Sequence, residues 1–105
     1  MITVLTIASV VLALAALADG ASTVRFLKNP TLVEIDNLMV WIFGTNRPSA
    51  ATVYSRGGAV IAAEIALAFG LTHLFHPLGY ALSVGILVQS VLHIQAAILN
   101  LKLPS

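Results

Sequence analysis

The chain has 105 residues, 59% of them hydrophobic and 9% charged, with five Lys and Arg against four Asp and Glu. A mean hydropathy of +1.01 lies outside the range of a water-soluble domain and points to an integral membrane protein. The length excludes a second domain, and the lack of cysteine excludes disulfides, thiolate metal sites and cysteine nucleophiles.

A helix that crosses a bilayer needs about 20 mainly apolar residues. Three stretches qualify: Ile2 to about Gly20, Gly57 to about Phe75, and Leu78 to Leu101. The expected fold is an all-α membrane protein, a single domain over 1–105, with three transmembrane helices and one short interfacial amphipathic helix between the first and second spans. In the first span, Ala16-Leu17-Ala18 before Asp19 has the small-x-small form of a signal-peptidase site. The residues ahead of it carry no Lys or Arg, and cleavage would move the basic connector outside, so an uncleaved helix is expected. Asp19, Ser22 and Thr23 share a face at its inner end.

The connector contains Asn29-Pro30-Thr31-Leu32-Val33-Glu34. An early proline and a Thr followed three residues later by Glu are both helix-start signals, so a helix over about 30–43 is predicted. Leu32, Ile35, Leu38, Met39 and Ile42 recur at three- and four-residue spacing, while Glu34, Asn37 and Trp41 form another, more polar face. At roughly 20 Å this helix cannot cross the hydrocarbon, and it is expected to lie in the cytoplasmic interface with Trp41 as an interfacial aromatic. Gly44 to Pro48 ends it. Pro48 suits the first turn of the next helix, which would start near Ser49 and enter the membrane near Gly57; Gly57-Gly58 could kink that helix or allow close packing. His76-Pro77-Leu78-Gly79 reads as a compact turn, and Pro104 as the stop of the last helix.

Arg25, Lys28, Arg47 and Arg56 lie between the first and second spans and Lys102 follows the third, whereas His73 to Tyr80 has neither Lys nor Arg. Because short cytoplasmic segments carry the Lys and Arg excess, the N-terminus is expected outside and both the connector and the C-terminus inside. The expected location is a cell membrane, of the bacterial inner-membrane kind.

Glu64 is the residue that most needs explaining, since an ionisable group at membrane depth marks function by default. Counting along the helices, it comes out roughly 10 Å below Gly57 and His93 roughly 12 Å above Leu101, in the same half of the bundle as Asp19 and Asn100. Gln89, His93 and Asn100 share one face of the last helix. Polar groups in lipid must find partners, so a cluster of Glu64, His93 and Gln89 is expected, with Asp19, Ser22 and Thr23 nearby and the Glu34 and Asn37 face covering it from below. One reading is interhelical glue, contributing ~0.6 to 2 kcal/mol per hydrogen bond. The other is a proton or cation site, since desolvation disfavours a charged carboxylate and imidazole changes charge near neutrality.

No H-E-x-x-H, H-x-x-E-H or E-x-x-H run is present, so no metal site is predicted. His73 and His76 stand beside Pro77 at the outer end, where a solvated or turn-capping role suits them. No cofactor is predicted; an axial bond from His73 or His93 to haem or chlorophyll is chemically open, but nothing in the sequence supports it. No serine sits in a G-x-S-x-G or S-x-x-K arrangement, and the glycines form no phosphate loop. The cations are explained by topology and anionic lipid, and nucleic acid is not expected as a partner.

The segment Asp19-Gly20-Ala21-Ser22-Thr23, followed by Glu34-Ile35-Asp36-Asn37, resembles an uncharacterised family of small bacterial multi-span membrane proteins. In that family a D-x-x-S-T segment ending the first helix precedes E-x-N-P. The likeness spans residues 10 to 75, but the Glu34 to Asn37 spacing is one longer than the pattern and Leu38 replaces its proline. It implies no activity and adds weight to Asp19, Thr23, Glu34 and Asn37. Ala62-Ala63-Glu64-Ile65 also resembles the glutamate segment of small multidrug transporters, which have four spans and place that glutamate in the first. The expected role is a non-catalytic accessory or assembly-forming subunit that meets lipid and other membrane chains through small-residue faces: Ser9, Ala13, Ala16 and Gly20 on the first helix, and Gly79, Ser83, Ser90 and Ala97 on the last. The alternative is an oligomeric proton- or ion-coupled channel or transporter in which Glu64 titrates.

Overall fold

The computed structural model describes residues 2–35 and 37–103. Within them the chain forms α1 (Ile2–Phe26), α2 (Asn37–Phe43), α3 (Ala50–Leu74) and α4 (Leu78–Leu101), and no strand. The helices α1, α3 and α4 are long and apolar enough to cross a membrane.

The ends of these helices follow from local chemistry. Ser49 caps α3, its Oγ accepting from the Thr52 amide at 3.2 Å, so Pro48 precedes the cap instead of occupying the first turn. The α3 to α4 turn is closed by amides of Leu78, Gly79 and Tyr80 bonding to Phe75, His76 and Pro77 carbonyls. No break occurs at Gly57-Gly58, and α3 runs unbroken through both.

The connector helix is shorter than the predicted 30–43. Asn29 Oδ1 accepts from the Thr31 amide at 3.0 Å and from Thr31 Oγ1 at 2.7 Å, a local turn that engages the hydroxyl the capping box needed. Residues 32–35 form neither helix nor strand, and the Glu34 amide donates to the Asn46 carbonyl at 2.7 Å. The helix therefore begins only at Asn37. It ends at Gly44, whose φ of 77° is the left-handed conformation that glycine adopts without strain.

The tightest pairing joins α1 to α4; α3 packs less extensively on α1 and only sparsely on α4. On α1 the residues turned inward include Leu5, Ala8, Leu12, Ala15, Ser22 and Phe26, with Asp19 half-buried. On α4 they are Gly79, Ser83, Ile86, Ser90 and Ala97, with His93 and Asn100 half-buried. Both sets alternate steps of three and four, the spacing of a coiled-coil seam. Asp19 meets His93, 74 residues on, and Ser22 meets Asn100, 78 residues on, so α1 and α4 are parallel. At this register Leu5 comes level with Gly79 and Ser9 with Ser83, small residues that let the backbones approach, while Leu12 comes level with Ile86 in the apolar core.

This seam corrects an expectation. The small residues Gly79, Ser83, Ser90 and Ala97 do not face outward for other chains; they are buried against α1. On α1, Ser9 is buried as well, and a Cβ on Gly20 would stand 3.6 Å from Val53 and Tyr54 of α3. The hydroxyls in the seam turn back on their own helix: Ser83 to the Gly79 carbonyl at 2.6 Å and Ser90 to the Ile86 carbonyl at 2.8 Å. That removes the cost of a bare hydroxyl away from water. Ser9 Oγ is the exception, buried with no partner among the described residues.

Candidate functional site: two polar tiers on the last helix

The half of the bundle that contains Phe26 and Leu101 carries two adjoining polar tiers. The first lies in the α1 and α4 seam. His93 Nδ1 is 2.7 Å from Asp19 Oδ2, and the two side chains are 19% and 18% exposed. A carboxylate oxygen that accepts here takes the hydrogen bond from Nδ1. Asn100 Nδ2 lies 3.4 Å from Asp19 Oδ1 and 3.2 Å from both Ser22 Oγ and Thr23 Oγ1. Those hydroxyls donate to the Asp19 carbonyl at 2.8 and 2.9 Å, which leaves their lone pairs available to the amide. One NH2 with two hydrogens serves three acceptors, so Asn100 clamps the end of α1 as a unit.

The second tier joins α3 to α4. Gln89 Nε2 donates to Glu64 Oε2 at 3.0 Å, at one edge of an open groove of about 380 Å³ lined by Leu67, Leu71, Leu82 and Gly85 among others. Both side chains are half-buried. Gln89 precedes His93 by four residues, so the tiers are about 6 Å apart along α4.

The structure thus brings Glu64 to Gln89, Asp19 to His93, and Ser22 and Thr23 to Asn100; His93 hydrogen-bonds Asp19 and not Glu64. A four-residue step rotates the direction of a side chain by about 40°. That suffices for His93 to meet α1 while Gln89 meets α3. Asn100, foreseen on the correct face, joins more partners than any other side chain of the tiers; its seven-residue offset from His93 was the available signal.

The polar face expected beneath this cluster is elsewhere. Glu34 sits in the non-helical segment before α2, and Asn37 and Trp41 are exposed, Trp41 by 80%. Among the described residues α2 packs on α3 and not on α1 or α4, so it does not roof the seam. The arginines at this end bind main-chain carbonyls. Arg47 reaches the carbonyls of Leu27 at 2.9 Å, Asn29 at 3.4 Å and Leu32; Arg56 reaches Ile42 at 3.3 Å, and Arg25 reaches Leu103 at 3.2 Å. His73 and His76 are exposed at the opposite end. Among the described residues no three His, Asp or Glu side chains are grouped to hold a metal ion.

Comparison with protein families, with curated proteins and with solved structures finds no match to this chain.

Proposed function

We propose that the chain is a non-catalytic accessory or assembly-forming subunit of a larger membrane complex. The observation that carries this reading is the lopsided burial of α3. Val53, Ala68 and Thr72 are its buried residues, while Ala51, Ser55, Gly58, Ala59, Ala62, Ala66 and Gly70 are all exposed. These recur at three- and four-residue spacing on one side of the helix, and Gly58 and Gly70 have nothing within 4 Å of a built Cβ. Small residues at a helix surface permit close approach by another helix in lipid. Glu64 on the same helix, at an open groove, adds a reason for cover, since a carboxylate turned toward acyl chains is costly.

In this reading the chain lies in a cell membrane, of the bacterial inner-membrane kind, with the N-terminus outside and the Arg and Lys end in the cytoplasm. Extraction in mild detergent is expected to recover it in a stoichiometric complex. A stable monomer, unchanged across detergents and concentrations, would count decisively against the proposal.

A second reading rests on the nearness of the tiers. Glu64 and Gln89 lie one turn of α4 from Asp19 and His93, and the ladder leads from the cationic end toward the middle of the bundle. An oligomeric proton- or ion-coupled channel or transporter would use Glu64 as the titrating group. Purified protein in liposomes would then show a proton-dependent flux that Glu64→Gln abolishes; absence of flux from both forms sinks this alternative.

A further inference from the structure

The connector carries an apolar surface that the rest of the described chain leaves open. Ile35 is 85%, Leu38 63% and Trp41 80% exposed, the last two about one turn apart on one side of α2. Its other side is fastened. Phe43 is buried, a Cβ on Gly57 would lie 3.9 Å from its ring, and Arg56 bonds the Ile42 carbonyl.

Gly57 is seven residues into α3, about 10 Å along its axis, and the stretch from it to Leu74 has no charged residue except Glu64. The connector therefore lies beside the level at which α3 passes from its polar end to its apolar length. Around a spanning helix, that level is the boundary between headgroups and acyl chains, the place suited to tryptophan and to the apolar face of a surface helix.

Charge complementarity narrows the occupant. All five Lys and Arg stand at this end of the bundle, and Lys28 and Lys102 are exposed. We infer that the connector is a binding face for anionic phospholipid. Ile35, Leu38 and Trp41 enter the headgroup boundary, and Lys28 and Lys102 meet the phosphates. This does not depend on the assembly reading, which concerns the exposed face of α3.

Trp41 is the single tryptophan, so its fluorescence reports on this face alone. The full chain would be placed in vesicles of phosphatidylcholine mixed with phosphatidylglycerol, with one lipid or the other brominated, and quenching would give the relative binding of the two lipids at Trp41. The expected result is strong quenching by either brominated lipid, a clear preference for phosphatidylglycerol, protection from aqueous iodide, and a preference that falls as salt is added. Lys28→Gln should lower the preference about fivefold, the factor expected from one lysine near an anionic surface. Equal quenching by the two lipids, or a preference that salt leaves unchanged, overturns the inference. Quenching by iodide without quenching by bromolipid puts the connector in water and overturns it too. Protection from both quenchers means that protein covers the face, and it equally overturns lipid binding there. The salt series uses the unsubstituted chain, so the outcome stands even if Lys28→Gln folds poorly.

Discussion

At the scale of single residues, the stability of the polar half of the bundle rests on Asp19 and Asn100 more than on Glu64. Asp19 accepts from His93 and Asn100, and its removal strands the imidazole, while Asn100 keeps Ser22 and Thr23. Asp19→Ala is expected to destabilise the bundle by about 2 to 3 kcal/mol, the cost of leaving partners of a charged group unmade. Glu64→Gln should cost less than about 1 kcal/mol, because its amide oxygen still accepts from Gln89. Unfolding in mixed micelles measures both, and the ranking fails if Glu64→Gln proves the more damaging. That Asp19, Glu64, His93 and Asn100 share one half of the bundle was legible, since counting along a helix needs only its rise. The pairing of His93 was not. It depends on which helix lies beside α4 at that turn, and the polar stripe on α4 is equally compatible with a neighbour on either side.

At the scale of elements, the seam between α1 and α4 makes a sharp prediction about volume. Ser83 is 2% exposed and stands level with Ser9, so Ser83→Leu overfills the seam and should cost about 1 to 3 kcal/mol. Gly58→Leu on the open side of α3 should leave the stability of the isolated chain within about 0.5 kcal/mol, as surface changes do. Comparable losses from the two would mean that the seam is misplaced. The small residues of α4 were visible in the sequence as a stripe. A stripe shows that something packs closely there, but not whether it is a neighbour in the same chain or another molecule. The start of α2 was missed for a local reason: Asn29 competes for Thr31, and the competition is decided by geometry that composition does not reveal.

At the scale of the molecule, three helices long enough to span would put the two ends of the chain on opposite sides of a membrane, and the proposed orientation follows from the cations. The natural absence of cysteine makes this directly measurable. Thr45→Cys, in the connector, should react with an impermeant thiol reagent only after the inner face is opened. His76→Cys, in the turn between α3 and α4, should react in intact cells. The reverse pattern would invert the proposed orientation and leave the fold unaffected.

The parallel pairing of the first helix with the last sets an order on synthesis. During translation α1 emerges first, and the groups that satisfy Asp19 come 74 and 81 residues later. Until α4 has entered the bilayer, Asp19 has neither imidazole nor amide within reach, and the close-packed seam has only one wall. α3 arrives in between and offers α1 the weaker contact. The nascent chain thus holds a carboxylate at the lipid boundary until α4 follows, and the seam closes only when that helix is in place.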